Sequence, residues 1–264
     1  AILCKGKLID VLEVATTSVQ HMSALMVGRD VSLTLEKVEH EKGSEVLRVE
    51  NLSVVSQDHI TLVDSVSFSV HEGEIPAIAG VSGNGQVEIA DAIAGLIPIK
   101  SGKILLQGND ITTAPVRKRI EAGLSYIPED RHAVGLILDF NLRENLCLKQ
   151  YYRSPYSNTR GILQHDAMNE LGNTLIEAFD IRTSKGNDTQ VRSMSGGNQQ
   201  KAIIAREINL DSKLIMFVRP TRGLDVGAIE AIHTRINTLR SEGKAILLIS
   251  LELDEVLQLA DTIL

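Results

Sequence analysis

The sequence predicts an α/β fold in which a largely parallel sheet is covered by helices on both faces. Apolar runs with the length of strands alternate with segments whose apolar residues recur at helical spacing. The runs at 214–218 and 245–250 are apolar at nearly every position, which is typical of parallel strands buried on both faces. The glycine-rich stretch 80–88 joins another such run to a helical pattern, and the rest of the chain is organised around it.

The composition limits the class of function. Of the 264 residues, 43% are hydrophobic and 23% are charged, which is ordinary for a globular domain. The net charge of −7 and the aromatic content of 3% argue against nucleic acid as a partner, because no basic stripe or stacking platform emerges. No apolar run reaches about 18 residues, so no membrane-spanning helix is predicted. Cys4 and Cys147 have neither metal nor redox spacing and are predicted to be core thiols in a reducing compartment.

The N-terminal part is predicted to form a short strand and a helix, followed by a charged connection. A strand is expected over 7–14, and Thr17 or Ser18 is expected to cap a helix that stops at Gly28. The stretch 29–44 loses the apolar pattern and carries a run of charges, which predicts a solvated linker. Because the first residue is not Met, we expect the chain to be part of a longer polypeptide.

The main body begins with a β-rich block and continues as alternating strands and helices. Strands are predicted at 46–54, 60–70, 74–79, 103–106, 124–127, 214–218 and 245–250, and helices at 86–96, 116–122, 198–210, 226–239 and 253–259. Pro76 lies inside the third strand and removes a ladder donor, so a bulge or irregularity is expected there. Between 141 and 191 the pattern is helical apart from the polar loop 151–161, which predicts a helical insertion beside the sheet.

The glycine-rich stretch has the spacing of a phosphate-binding loop. Four residues separate Gly80 from Gly85, as in the pattern G-x-x-x-x-G-K-[ST], and a helix pattern begins directly afterwards. Backbone N–H groups and the helix dipole would meet at one point there, and glycines allow a phosphate to approach closely. The candidate binding residues are Gly80, Ser82, Gly83, Asn84, Gly85, Gln86, Val87 and Glu88.

The end of this loop departs from the pattern. Gln86 stands where the lysine would reach the phosphates, and Val87 stands where a hydroxyl would hold Mg²⁺. Loss of the lysine alone removes a charge-assisted contact worth roughly 1.5–3 kcal/mol. Glu88 either repels a phosphate, by roughly 3 kcal/mol at about 5 Å, or complements the dipole of its own helix. A hydrolase elbow G-x-S-x-G is the weaker interpretation, because Asn84 takes the place of its last glycine.

A second glycine-rich helix start lies between the phosphate loop and the last apolar strand. It reads Ser195, Gly196, Gly197, Asn198 and Gln199. In isolation, Ser195 would be explained as an ordinary helix N-cap. The order of the motifs favours another interpretation, because the stretch resembles the signature motif S-G-G-x-Q of ATP-binding cassette (ABC) proteins.

The resemblance implies a P-loop NTPase fold with a mostly parallel core sheet, an antiparallel β subdomain and a helical subdomain at about 136–200. It also implies ATP and Mg²⁺ as ligands. In that family two cassettes stack head to tail, and the signature of one closes over the γ-phosphate held by the other. Ser195 would supply a hydroxyl donor at a helix N-terminus, and Asp225 would act from the D-loop at 223–225.

The residues that cleave ATP in the family are replaced in this chain. Val218 stands at the aspartate that orders Mg²⁺, Arg219 at the glutamate that polarises water, and Leu251 at the switch histidine. Glu129 stands at the glutamine that reads the γ-phosphate. The resemblance therefore implies no metal site in this half and no ATP hydrolysis by this half alone. Arg219 is expected either to lend charge to a nucleotide or to pair with Glu88.

Four short sequence segments narrow the resemblance to the second cassette of tandem ATP-binding subunits from bacterial importers of simple sugars or nucleosides. They lie at 83–86, 128–131, 220–228 and 250–255, and the stretch 141–152 leans towards the nucleoside branch. The implied organisation is the end of a preceding cassette at 1–28, a linker at 29–44 and a nucleotide-binding domain at 45–264 that is truncated at its C-terminus.

The same resemblance implies the partners and the location. The partners are the first cassette of the same polypeptide, integral-membrane permease subunits and, indirectly, a periplasmic or lipoprotein solute-binding protein, with no nucleic acid. The location is the cytoplasmic face of the cell membrane, where the protein would be peripheral. Two alternatives stay open: a structural clamp that binds a nucleotide without cleaving it, and a cassette protein outside transport, which the acidic charge disfavours if it acts on ribosomes or DNA.

Overall fold

The computed structural model describes residues 1–4, 6–28 and 42–264. The strands are β1 (Ile2–Cys4), β2 (Lys7–Asp10), β3 (Glu45–Val55), β4 (Thr61–His71), β5 (Pro76–Ala79), β6 (Ser101–Leu106), β7 (Asn109–Asp110), β8 (Leu124–Ile127), β9 (Leu214–Val218), β10 (Ala245–Ser250) and β11 (Thr262–Ile263). The helices are α1 (Val19–Val27), α2 (Gln86–Ala94), α3 (Val116–Glu121), α4 (Leu142–Cys147), α5 (His165–Ala178), α6 (Gly196–Asn209), α7 (Val226–Ser241) and α8 (Leu253–Leu259). The predicted linker 29–44 lies outside the described residues except for its last three.

The core is a parallel sheet of five strands in the order β11-β5-β10-β9-β8. Its carboxyl edge carries the connections that follow β5, β8, β9 and β10. These connections begin at Gly80, Pro128, Arg219 and Leu251. The fold thus brings the phosphate-type loop and the three other predicted family positions to one edge of the sheet.

A second, antiparallel sheet has the order β4-β3-β6-β7 and covers α2 and one face of the parallel sheet. The β-rich block predicted from the sequence is therefore confirmed, as is the antiparallel subdomain implied by the resemblance. The N-terminal strands β1 and β2 form a separate antiparallel pair. Ser18 caps α1 by accepting from the His21 N–H, and Gly28 ends that helix in the left-handed conformation, as predicted.

Apolar side chains on the two faces of the parallel sheet form two separate clusters. Along β9, Leu214, Met216 and Val218 join the cluster beneath the antiparallel sheet, whereas Ile215 and Phe217 join the cluster beneath the helical part. All five side chains are almost fully buried. Because alternate residues of a strand point to opposite faces, the parallel sheet is covered on both sides, as its unbroken apolar run predicts.

The helical insertion is confirmed as α4 and α5, with turns between them. Asn141 and Glu144 form a capping box at the start of α4, which fixes where that helix begins. Cys147 lies fully buried at the end of α4, as predicted for a core thiol. Within the part of the chain that the structure describes, no helix combines the length and the hydropathy that crossing a bilayer requires.

Two local predictions are wrong. No bulge forms at Pro76, because β5 begins with this residue and pairs with β10 without a register shift from Ala77 onward. The strand expected over 7–14 ends at Asp10, and a single 3₁₀ turn follows. The Asp10 carboxylate accepts the N–H of Val11 at 2.7 Å, a local bond that competes with a strand ladder.

Candidate functional site

The phosphate-type loop connects β5 to α2, and glycines at Gly83 and Gly85 shape it. Both residues have positive φ angles, +88° and +93°, which an L side chain rarely adopts. A Cβ atom on Gly85 would also collide with the carbonyl oxygen of Leu62 in β4. The loop therefore has the glycines that its backbone path requires, and it presents the N-terminus of α2 at its end.

The Gln86 side chain folds back into this loop. Its amide nitrogen donates to the Val81 carbonyl at 3.0 Å, and its amide oxygen accepts from the Asn84 N–H at 3.2 Å. A Cβ atom on Gly80 would meet the same amide nitrogen, so the side chain lies directly against the start of the loop. The chain's own amide thus takes up an N–H group that a loop of this type presents to an anion.

The two valines that stand in place of the family's Mg²⁺ ligands contribute to packing. Val87 packs, partly buried, against the cluster beneath the antiparallel sheet, and Val218 is fully buried in that cluster. Neither side chain offers an oxygen atom to Mg²⁺. Within the described residues, no three His, Cys, Asp or Glu side chains form a group that could hold a metal ion. Ser82 is exposed, and Glu88 lies in the first turn of α2, where its charge complements the helix dipole.

Arg219 does not pair with Glu88, so that expectation is wrong. Its guanidinium donates to the Glu129 carboxylate at 2.5 Å, and Arg222 donates to the same oxygen at the same distance. The strand order gives the reason: Glu129 follows β8, which lies next to β9, whereas Glu88 lies on the helix after β5. Arg219 has a positive φ of 48° at the end of β9 and is held there by its N–H, which donates to the Ile249 carbonyl.

A half-buried acid, Asp91, lies on α2, the helix that follows the phosphate-type loop, and the sequence analysis did not single it out. It accepts from the Tyr126 hydroxyl at 2.6 Å. Burial raises the pKa of Asp91, the Tyr126 hydroxyl opposes this, and the carboxylates of Glu88 and Glu129 raise the pKa further. The same surroundings raise the pKa of Tyr126. Acidic side chains near the loop disfavour a bound phosphate.

The signature-like stretch opens α6 with Ser195 at the N-cap position. The Ser195 hydroxyl oxygen accepts from the Asn198 side-chain amide at 2.9 Å and bonds to no backbone N–H of the helix. The ordinary N-cap interpretation therefore does not describe what this side chain does. Ser195 is exposed, and the Asn198 amide oxygen accepts in turn from the Arg182 N–H.

The remaining signature residues are held from one side by the segment after β8. Gln199 is 4% exposed and donates from its amide nitrogen to the Val191 carbonyl at 3.0 Å. Its amide oxygen faces Nε2 of His132 at 2.9 Å. Arg131 donates to the Gly196 carbonyl at 3.4 Å. Sequence reasoning assigned no role to Arg131, His132 or Arg222; the adjacency of β8 and β9 at one sheet edge is the signal that points to them.

A cavity of about 560 Å³ lies beside Ser195. Its lining includes Ser195, Gly197, Asn198, Asp225 and Lys201, together with Leu3 and Met26 from the N-terminal part. No residue of the loop 80–88 lines it. The signature-like stretch and the D-loop thus face a common space that the chain's own phosphate-type loop does not enter. Leu251, at the position of the switch histidine, follows β10 and is half-buried.

A glycine-rich loop and a signature-like helix start on an α/β fold define a nucleotide-binding class of protein, and comparison with known proteins agrees. The profile of the ABC transporter family matches residues 63–222. Over 99% of its length the chain is 45% identical to the guanosine import ATP-binding protein NupO of Bacillus subtilis and 44% identical to the nucleoside import ATP-binding protein NupA of Lactococcus lactis. The chain spans about half, 51%, of the length of both relatives.

Solved structures agree on the fold. A nucleotide-free ATP-binding cassette from an ABC transporter superposes with a TM-score of 0.69 at 23% identity, covering 83% of this chain and 86% of the other. The chain belongs to the ABC transporter family, whose ATPase domain binds ATP with Mg²⁺.

Proposed function

We propose that this chain is the C-terminal nucleotide-binding half of a tandem ATP-binding subunit, and that the subunit drives import of nucleosides or simple sugars. One observation carries the proposal: the helix start at Ser195 is intact and exposed, whereas the loop at Gly80 is filled by the side chain of Gln86. On this proposal, the signature-like stretch at Ser195 binds a phosphate that another cassette holds.

The organisation of the proposed subunit follows the relatives. Residues 1–28 would end a preceding cassette, 29–44 would be a linker, and 45–264 would be the second cassette. The relatives are about twice as long as this chain, which fits two cassettes in one polypeptide. Two of them are named for import of guanosine or nucleosides and another for import of ribose, so a nucleoside is the favoured solute.

Ser195 is suited to bind a phosphate presented from outside. Among the described residues its hydroxyl oxygen accepts one hydrogen bond, from Asn198, and no acceptor binds its hydrogen. That hydrogen is free to donate outward, beside the free N–H groups and the positive dipole end of α6. Gly197 leaves space for close approach, because a Cβ atom there would meet nothing within 4 Å. In the preceding cassette's site these groups would orient and stabilise the γ-phosphate of ATP.

The chain's own phosphate-type site does not fit Mg²⁺–ATP. Gln86 takes a loop N–H, Val87 and Val218 lack ligand atoms, and Glu129 is neutralised by two arginines. We infer that this half does not hydrolyse ATP by itself. The proposed partners are integral-membrane permease subunits and, through them, a solute-binding protein, with the subunit peripheral on the cytoplasmic face of the membrane.

ATP turnover by the full-length subunit, assembled with its permeases, tests the proposal. Ser195→Arg should reduce turnover by about 100-fold or more, because it removes a donor and fills the phosphate position. Gln86→Lys should leave turnover nearly unchanged. Ser193→Arg, two residues earlier and also exposed, is the matched control and should behave like the unaltered subunit. Brisk ATP hydrolysis by residues 1–264 alone would contradict the proposal.

A second function is favoured by one retained feature. Gly83, Gly85 and the N-terminus of α2 still form the backbone of an anion cradle, with Arg219 and Arg222 two strands away at the same edge of the sheet. A nucleotide that displaced Gln86 would be held without cleavage, and this half would act as a clamp. Calorimetry with ATP, with and without Mg²⁺, distinguishes a clamp from a site that no longer binds a nucleotide. A clamp binds ATP equally in both conditions, whereas a site that has lost nucleotide binding gives no heat in either.

A further inference from the structure

Four consecutive residues, Glu129, Asp130, Arg131 and His132, connect the signature-like stretch to the connection that follows β9. We call them the 129–132 brace. They follow β8, and the Asp130 carboxylate fixes the turn by accepting from the N–H groups of His132 and Ala133, both at 2.9 Å. Those backbone donors lower the pKa of Asp130, Ala133 first. The brace is thus a defined turn whose side chains point in fixed directions.

His132 holds the signature glutamine. The Gln199 amide nitrogen is already committed to the Val191 carbonyl, so its oxygen faces His132 and must accept from Nε2–H. This requirement assigns the proton of a neutral His132 to Nε2. Gln199 is almost fully buried, so losing this donor would leave its amide oxygen without its partner.

Arg131 lies between the signature and the D-loop. It donates to the Gly196 carbonyl, and a Cβ atom on Gly196 would come within 3.3 Å of the guanidinium. A Cβ on Gly223 would lie 3.6 Å from the same group. Glycine at both positions leaves room for the flat Arg131 guanidinium beside both motifs, a shape that a lysine ammonium does not reproduce.

Glu129 anchors the other end of the brace through two ion pairs. Arg219 and Arg222, both in the connection between β9 and α7, donate to one of its oxygens. The same connection leads into Asp225, which caps α7. Two ion pairs thus hold the brace to the connection that contains the D-loop, and two hydrogen bonds hold it to the signature.

We propose that the 129–132 brace fixes the signature and the connection to the D-loop in one geometry, and that Arg131 and His132 are positioning residues for Ser195. This inference rests on the proposed function. A misplaced donor costs rate more than substrate binding, because the signature acts on the γ-phosphate only when the two cassettes close.

The test measures kcat and KM for ATP with the full-length subunit and its permeases. His132→Leu and Arg131→Leu should each lower kcat by about tenfold and leave KM largely unchanged. His132→Gln keeps a donor and should restore most of the rate, whereas Arg131→Lys should not. His165→Leu and Arg160→Leu, at exposed positions of α5 and the preceding loop, are matched controls and should leave kcat unchanged.

Ser195→Arg is measured in parallel to separate the two proposals. If Ser195→Arg abolishes turnover while both leucine variants keep the full kcat, the brace is overturned and the proposed function stands. If Ser195→Arg turns over normally, the proposed function itself fails. A loss of rate in His132→Leu that His132→Gln does not repair would also overturn the brace, because the hydrogen bond to Gln199 would not be its cause.

Discussion

At the scale of single residues, Gln86 stands where the family has its lysine, and its side chain occupies the loop in which a phosphate would bind. Its amide satisfies the Asn84 N–H and the Val81 carbonyl, so a nucleotide entering the loop must break two hydrogen bonds. Each is worth about 0.5–1.5 kcal/mol. Gln86→Ala should therefore favour ATP binding by about 1–3 kcal/mol relative to the unaltered 264-residue chain, so calorimetry should detect binding at ATP concentrations where the unaltered chain gives less heat or none. Gln164→Ala, an exposed change at the start of α5, is the control; equal or weaker binding by Gln86→Ala would refute the prediction.

Cys147 is the second residue whose environment decides its chemistry. Its side chain is fully buried, and burial raises the pKa of the thiol to about 11. Little thiolate exists at pH 8, and reagents do not reach it. In a Cys4→Ser background the native chain should resist a maleimide at pH 8, and the chain unfolded in urea should react at once. Rapid labelling of the native chain would show that the α4 region opens.

At the scale of elements, β8, β9, β10 and α8 have the bounds that the sequence predicts, because long apolar runs and clear breakers leave few alternatives. The helix of the phosphate-type loop ends two residues early, at Ala94, because Gly95 caps it in the left-handed conformation. The motifs were predictable from local spacing. The partner of Arg219 was not, because it depends on which strand lies beside β9.

The junction of α4, α6 and β8 depends on a buried carboxylate, Glu207. It is fully buried and accepts from Lys149 at 2.7 Å, from Arg206 at 2.9 Å and from the Tyr126 N–H at 3.2 Å. Burial opposes ionisation, but the two cations outweigh it and hold the pKa of Glu207 below its usual value. Glu207→Gln leaves these cations uncompensated, so the free energy of unfolding at pH 7 should fall by about 3–5 kcal/mol.

The difference in stability between the unaltered chain and Glu207→Gln should depend on pH in one direction. The pKa of Glu207 is lower in the folded chain than the unfolded value near 4.3. Its contribution is present above that unfolded pKa and is lost as the pH falls through the folded pKa. In urea denaturation the difference between the unaltered chain and Glu207→Gln should shrink below about pH 4. Glu177→Gln, exposed on α5, should show no such trend; a constant difference at all pH values would contradict the assignment.

At the scale of the whole molecule, the two buried clusters define the cooperative unit. They meet at the parallel sheet, and no described residue before Val46 belongs to either of them. The N-terminal part has its own strand pair, and α1 touches the rest through α7. This distribution supports the proposed boundary after residue 28, which the sequence suggested only through the loss of apolar pattern.

Deleting residues 1–28 tests that boundary. Because these residues add nothing to either cluster, the urea midpoint and the m-value of the remaining chain should match those of the full chain. An m-value scales with the surface exposed on unfolding, so it would fall if residues 1–28 unfolded together with the domain. A variant that begins at residue 51 is the contrasting control. It lacks residues 45–50 of β3. These residues pair with β4 and β6 and contribute Val46, Leu47 and Val49 to the core, so this variant should not fold. A lower midpoint together with a lower m-value in the first variant would place residues 1–28 inside the domain.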